Sequence, residues 1–274
     1  MSIEIRRLTG AIGARVTGID LREPLDDGAV ADIRKALLDH EVLIFRDQPI
    51  TPEQHIQFAL AFGELHKPPV RTKHSPWPEI NVLDQVNARG EGADNWHNDN
   101  TYVAEPPMGS VLHLVKAPPV GGDTCFASMT AAYDALSAPV QRMLDELVAV
   151  HDVTKSLTKA LAYGHLDADF DAMRKQMPPV RHPVVRTHPE TGRKALFVNP
   201  NSTVRIADMS EAESDAILAF LYTHVKLPDF QCRVEWDETT IVFLDNRSCQ
   251  HYAVPDYDER RVLHRVTIKG DRPS

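Results

Sequence analysis

The sequence predicts a mainly β fold with flanking helices, built as a double-sheet barrel, on three observations. From residue 80 onward, short apolar runs recur between turn residues. Helical patterning is confined to a few segments, which argues against a parallel α/β sheet. No repeat, low-complexity tract or Gly/Ser linker divides the chain, so residues 1–274 are expected to form a single domain.

The elements follow in order. Val30, Ile33, Ala36 and Leu37 recur at helical spacing and predict a helix over residues 27–38. The run Glu41-Val-Leu-Ile-Phe-Arg46 reads as a buried strand, bounded by Asp47-Gln-Pro49. A second helix starts at Thr51, with Pro52 in its first turn and Gln54 completing a capping box. Strands are expected at residues 80–86, 110–115, 123–128, 180–187, 194–198, 233–236, 240–245 and 261–269. Helical interludes fall at 131–147 and 210–223, the second opened by Ser210 and Glu213 as another capping box. Gly121-Gly122 and Pro189-Glu-Thr-Gly192 mark turns. Residues 154–179 are polar and weakly periodic, and are expected to form a loop or lid over a site.

A formal charge of −9 argues against a broadly basic face for nucleic acid or an anionic membrane. With 42% hydrophobic and 25% charged residues the chain can bury a core of ordinary size. Cys125, Cys232 and Cys249 are odd in number and scattered, which fits neither a disulfide framework nor a zinc site. The N-terminal Met1-Ser-Ile-Glu-Ile-Arg-Arg7 lacks the apolar centre of a secretion signal. No run approaches the ~18 apolar residues of a spanning helix. The expected compartment is the reducing cytoplasm.

The chemistry concentrates in Trp96-His97-Asn98-Asp99-Asn100. In a strand, residues i and i+2 project from one face, so His97 and Asp99 can converge on one point. His251, in Asn246-Arg-Ser-Cys-Gln-His251, is the candidate third ligand. Two imidazoles and one carboxylate make the facial triad of non-haem iron(II) oxygenases, which leaves coordination positions open for co-substrate and oxygen. A second His-x-Asp stands at His165-Leu-Asp167, with no strand pattern around it, and reads as a solvated loop pair. Ten residues after His251, Arg261-Val-Leu-His-Arg-Val-Thr-Ile268 alternates as a strand. Arg261, Leu263, Arg265 and Thr267 share one of its faces, and alternate members lie on the order of 6–7 Å apart. If that face turns inward, an anion must meet the guanidinium groups, because buried unpaired charge is costly. The alternative is that both arginines face water on an edge strand, or pair with acidic side chains.

The chain resembles the TauD/TfdA family, the taurine and 2,4-D dioxygenase group, over nearly its whole length. The matching blocks include Val42-Leu-Ile-Phe-Arg-Asp-Gln48, Phe62-Gly-Glu-Leu-His66, Trp96-His-Asn-Asp99 and Gly121-Gly-Asp-Thr124. Later blocks are His182-Pro-Val-Val-Arg-Thr-His-Pro189, Leu196-Phe-Val-Asn199, Asp245-Asn246, Gln250-His251 and Arg260-Arg-Val-Leu-His-Arg265. The resemblance implies a double-stranded β-helix, a cupin-like jelly roll. It implies iron(II) held by His97, Asp99 and His251, with 2-oxoglutarate and O2 as co-substrates. Arg261 and Thr124 would bind the distal carboxylate of 2-oxoglutarate, and Arg265 the anionic group of the substrate. A homodimer or homotetramer is the expected assembly.

The taurine pattern breaks in the substrate pocket. Where those enzymes read His-x-His-Pro-x-Tyr, this chain reads His66-Lys-Pro-Pro-Val-Arg71, so Pro68 and Arg71 replace a His and a Tyr. An asparagine gives way to Ala93 and an aromatic to about Ser202, while Ser156 is kept beside Leu157. Arg71, Asn100 and Ser156 are candidate contacts to the substrate, Arg71 alternatively facing water and Asn100 alternatively orienting Asp99. A charge count supports an anionic substrate. Iron(II), Asp99, doubly ionised 2-oxoglutarate and Arg261 sum to zero, and Arg265 adds a positive charge that an anion would balance. The expected reaction oxidises a C–H of a small anionic substrate (sulfonate, sulfate ester or carboxylate) with release of succinate and CO2. Desaturation by the same cofactors is an alternative outcome. A non-enzymatic metal-binding jelly roll and a zinc hydrolase are rival readings, but neither has a use for Arg261 and Thr124.

Overall fold

The computed structural model describes residues 3–66, 76–86, 93–155, 157–158 and 170–274. Among them, seven strands form the largest sheet: β1 (Glu4–Arg7), β2 (Ala14–Thr17), β3 (Val42–Phe45), β4 (Ile80–Gln85), β5 (Gly109–Lys116), β13 (Ile241–Asp245) and β15 (Arg261–Ile268). Their order across the sheet is β1-β2-β3-β13-β5-β15-β4. Only β2 and β3 pair in parallel, and helix α1 (Asp27–His40) makes the crossover such a pair requires.

This sheet is covered on both faces, which is why its central strands read as unbroken apolar runs. Leu43, Phe45, Val111, Ile241, Phe243 and Val266 point outward to Ile33 and Leu37 of α1 and to Phe58 and Ala59 of α2 (Pro52–Leu60). Val42, Ile44, Leu112, Leu114, Val242, Leu244 and Leu263 point inward, where they meet Phe126, Cys232, Val234 and Cys249. Those partners belong to a second sheet, ordered β12-β6-β14 and built from β12 (Gln231–Val234), β6 (Thr124–Ser128) and β14 (Cys249–Ala253). Two sheets therefore enclose one core, and each fully buried Leu, Val or Phe in it contributes about 1.5–3 kcal/mol.

A third layer backs the second sheet. It holds β7 (Val148–His151), β8 (Val180–Pro183) and β11 (Thr203–Ile206), ordered β11-β7-β8, and the pair β9 (Val185–Thr187) and β10 (Lys194–Leu196). Helices α3 (Met129–Asp134), α4 (Ala138–Asp145) and α6 (Glu211–His224) pack here around Met129, Leu144, Leu196, Leu218 and Leu221. Helix α5 (Phe170–Gln176) stands apart, with no buried residue.

The expected capping boxes are present at α2 (Thr51, Gln54) and α6 (Ser210, Glu213). Three expectations change. The interlude at 131–147 is two helices, because Pro139 sits in the first turn of α4 and starts a new helix there. The strand expected at 180–187 is two strands, β8 and β9, which break at Val184 after Pro183 and pair in different sheets. Within the expected lid at 154–179, residues 170–176 are helical, while 156 and 159–169 lie outside the described residues. No helix among the described residues is long and apolar enough to cross a membrane.

Candidate metal centre

The centre begins with two reciprocal backbone bonds. His97 N donates to His251 O at 3.0 Å and His251 N donates to His97 O at 2.9 Å, an isolated antiparallel bridge between the 97 segment and β14. Residues paired this way project to the same side, and the two imidazole centroids stand 4.1 Å apart. This corrects the expectation of a strand through His97 and Asp99: only His97 is bridged, and Asp99 lies in the turn that follows.

Asn246 brings Asp99 into place. Its Oδ1 accepts from Asp99 N at 2.6 Å, while its Nδ2 donates to Asp99 O at 3.0 Å and to Pro107 O at 3.1 Å. Asn98 locks the same turn from the other side, donating to Asn246 O at 2.9 Å and Cys249 O at 2.8 Å. Asn100 then takes a left-handed φ of 52°, a conformation Asn tolerates well. The carboxylate so placed is 3% exposed and divides its oxygens. Ser110 Oγ donates to Oδ2 at 2.9 Å, and Arg265 Nη1 donates to Oδ1 at 2.5 Å.

Oδ1 faces both imidazoles, at 3.9 Å from His97 Nε2 and 4.0 Å from His251 Nε2. Those distances are too long for hydrogen bonds. They fall within the span of two metal–ligand bonds of about 2.1 Å, which reach at most about 4.2 Å across an ion. Among the described residues, this is the group of three potential ligands whose donor atoms lie within 4.8 Å of one another. His97 Nδ1 lies 2.8 Å from Asn95 O, so Nδ1 carries the proton and Nε2 keeps its lone pair. Burial lowers the pKa of both histidines, His251 to about 3, so both rings are neutral ligands. Burial pushes the Asp99 carboxyl up, but Arg265, His251, His97 and Ser110 together hold it well below the usual carboxylate range. Two neutral imidazoles and one carboxylate form a nitrogen–oxygen set suited to iron(II).

Behind the triad lies a second buried cation. Arg261 is 2% exposed, and its Nε donates to Gly122 O at 3.1 Å. Its guanidinium carbon stands 5.8 Å from the Trp236 ring centroid and 6.0 Å from that of Tyr257. Burial lowers its pKa; Tyr257 and Asp123 oppose that, but Asp123 itself bonds Arg233 at 2.5 Å. Among the described residues no carboxylate forms an ion pair with Arg261. Trp236 Nε1 donates to Thr124 Oγ1 at 3.0 Å, so the indole joins Thr124 and Arg261 into one wall. The position of Gly122, at φ +74°, favours glycine: any side chain is strained there, and a Cβ would sit 3.0 Å from Pro118 Cγ and 3.1 Å from Arg261 Cδ.

Arg265 shares the inner face of β15 with Arg261, as the alternation predicts, and its present partner is Asp99. Asn100 does not bond Asp99; its Oδ1 accepts from Tyr102 OH at 2.9 Å. His264 is on the outer face, opposite His113 in the strand register. Trp96 is buried and stacks on Tyr252 at 5.7 Å. Arg71, Ser156 and the second His-x-Asp at 165–167 lie outside the described residues. Sequence reasoning missed Ser110, Trp236 and the strand that carries His251, and it quoted Asn246 without giving it a role.

The model of the taurine catabolism dioxygenase TauD, TfdA family matches residues 4–267. The chain belongs to this family. It is 34% identical to an alpha-ketoglutarate-dependent sulfate ester dioxygenase of Pseudomonas putida, over 100% of this chain and 91% of that one. It is 33% identical to an alpha-ketoglutarate-dependent 2,4-dichlorophenoxyacetate dioxygenase of Cupriavidus pinatubonensis (strain JMP 134 / LMG 1197), over 99% of each. Among solved structures, AAD-2 in complex with Mn(II) and N-oxalylglycine aligns with a TM-score of 0.86 at 32% identity, covering 100% of this chain and 99% of that one. The family's chemistry is iron(II)- and 2-oxoglutarate-dependent oxidation by O2, and this TauD/TfdA dioxygenase has donors that fit it.

Proposed function

We propose that this dioxygenase hydroxylates a C–H bond of a small sulfonate, sulfate ester or carboxylate, with iron(II) held by His97, Asp99 and His251. The observation that carries this reading is the convergence of two neutral imidazoles on Asp99 Oδ1, with the buried Arg261 lacking an ion-pair partner among the described residues. When bound, iron(II) with 2-oxoglutarate and O2 supplies the oxidising power that breaks the C–H bond, and 2-oxoglutarate leaves as succinate and CO2. The chain positions the reactants and excludes water. Arg261 receives the distal carboxylate of 2-oxoglutarate on its planar fork. Thr124 accepts from Trp236, so its own hydroxyl proton is available to the same carboxylate.

Arg265 holds the substrate anion. Arg265 Nη1 now donates to Asp99, one of the residues that would hold iron(II); with that carboxylate engaged by the metal, the guanidinium would be free to hold the substrate. Asn100, Ser156 and Arg71 complete the substrate contacts. If the oxidised carbon bears a sulfate, sulfonate or aryloxy group, the hydroxylated product collapses and releases it. The facing seven- and three-stranded sheets support a double-stranded β-helix, a cupin-like jelly roll; we read 1–274 as a single domain with 154–179 as its lid. A cytoplasmic homodimer or homotetramer completes the reading.

Succinate release with iron(II) and 2-oxoglutarate, screened across alkyl sulfates, sulfonates, aryloxyalkanoates and amino-acid-like carboxylates, tests it. Stimulation by one class above uncoupled turnover is expected, and product mass separates hydroxylation from desaturation. Stimulation by none overturns the reading.

A further inference from the structure

Residues 254–260 connect β14, which carries His251, to β15, which begins at Arg261. Residues 121–123 lead into β6, which begins at Thr124. The two segments are laced together. Val254 N donates to Asp123 O at 2.9 Å, and Gly122 N donates to Asp256 Oδ1 at 2.8 Å. Asp256 Oδ2 accepts from Arg233 Nη2 at 3.4 Å, and Arg233 Nε also bonds Asp123. The fit leaves no room for a Cβ at Gly121, which would stand 2.5 Å from Asp256 O and 2.6 Å from its Oδ1. The next residue, Tyr257, is buried beside the Arg261 guanidinium and donates to Gln85 Oε1 at 3.2 Å, which anchors the segment that presents Asp256.

Gly122 is the link to the pocket. Its N–H is held by Asp256, and its carbonyl accepts from Arg261 Nε at 3.1 Å. A guanidinium is a rigid plane, so anchoring Nε limits the directions in which the rest of the fork can point. The carbonyl can do this only where the turn itself is held, and a pair of glycines is the least restrained backbone there is. Asp256 restrains it from an exposed position, so its side chain is not there to fill the core. Its charge cannot attract an anionic co-substrate, which leaves geometry as its contribution. We propose that Asp256 is a positioning residue for 2-oxoglutarate: by holding the Gly121-Gly122 turn, it aims Arg261 at the distal carboxylate. This rests on the reading above that Arg261 receives that carboxylate.

The test compares D256A and D256N with wild type and R261M. Both Asp256 variants lose the same charge, but the asparagine keeps an oxygen that can accept from Gly122 N, so the difference between them reads that hydrogen bond. Calorimetry of the Mn(II)-loaded protein with N-oxalylglycine gives the affinity without turnover. In D256A, Kd for the analogue rises about fivefold, the size of one hydrogen bond, while Kd for Mn(II) changes less than about twofold. D256N recovers most of the loss. Equal losses in D256A and D256N, a parallel loss of Mn(II) affinity, or a lowered unfolding midpoint with Kd for the analogue unchanged overturns the assignment. If R261M binds the analogue as wild type does, the reading of Arg261 fails and this inference with it. If R261M weakens binding and D256A does not, the inference alone falls.

Discussion

Asp99 and Asp245 are both buried carboxylates, joined through Asn246, which follows Asp245 and bonds the Asp99 backbone, yet they are finished in opposite ways. Asp245 is saturated. Its Oδ1 accepts from Arg247 N at 3.0 Å and Arg247 Nε at 2.9 Å; its Oδ2 accepts from Arg247 Nη2 at 2.7 Å and His188 Nε2 at 3.0 Å. Arg247 is in turn tied to Glu190 at 2.7 Å, and Glu190 to Arg34 at 2.8 Å. Asp99 has one donor on each oxygen and two imidazoles standing just beyond bonding distance of Oδ1. A carboxylate whose acceptor sites are filled by the protein is structure; one flanked by two unbonded imidazole nitrogens can take a cation. Both are held ionised against burial, Asp245 by Arg247 and His188, so charge state alone does not tell them apart.

Substitutions can break this contrast. In D99A, Mn(II) binding and succinate release fall to background while the fold survives; metal binding by D99A would contradict the contrast. In D245N, the loss is about 3 kcal/mol of stability, because the buried Arg247 keeps only Glu190 of its two carboxylate partners, and denaturant unfolding measures it. Equal destabilisation by both variants would erase the distinction. The wall behind the triad gives the next effect: R261M should raise KM for 2-oxoglutarate on the order of 100-fold, with a smaller change in KM for the substrate. The groups that aim Asp99 give less. S110A and N246A should each weaken Mn(II) binding about tenfold or more, as loss of a ligand's supporting hydrogen bonds does.

The smallest effect is one of pH. His55 and His151 are buried and neutral, each lowered by burial to about 3. Below about pH 6.5 the unfolded chain takes up protons that these folded rings refuse, so stability falls as pH drops toward 3. Each contributes about 1.4 kcal/mol per pH unit inside that window. In H55Q the amide can still donate to Val111 O, as His55 Nε2 does at 3.0 Å, so the fall should become shallower by one such increment. An unchanged slope would place the proton uptake elsewhere.

Those two classes of group also differed in how legible they were. Strands buried on both faces, β3, β5 and β13, announce themselves as apolar runs, and the helix starts carry their caps in the sequence. The inner face of β15 follows from simple alternation. The strand carrying His251 does not, because Cys249-Gln-His-Tyr-Ala253 has no apolar period; its register comes from pairing with β6, a long-range contact. Asp99 likewise reaches the centre through a turn clamped by Asn246, 147 residues away, rather than through strand geometry. Ser110 looked like the start of an ordinary strand, and only the pleat reveals that it faces Asp99.

A crystal structure with Mn(II) and N-oxalylglycine tests the central claim most directly. The expected result is a metal bonded to His97 Nε2, Asp99 Oδ1 and His251 Nε2, with the distal carboxylate of the analogue on Arg261 and Thr124. A metal that omits His251, or an analogue whose far end avoids Arg261, would contradict it.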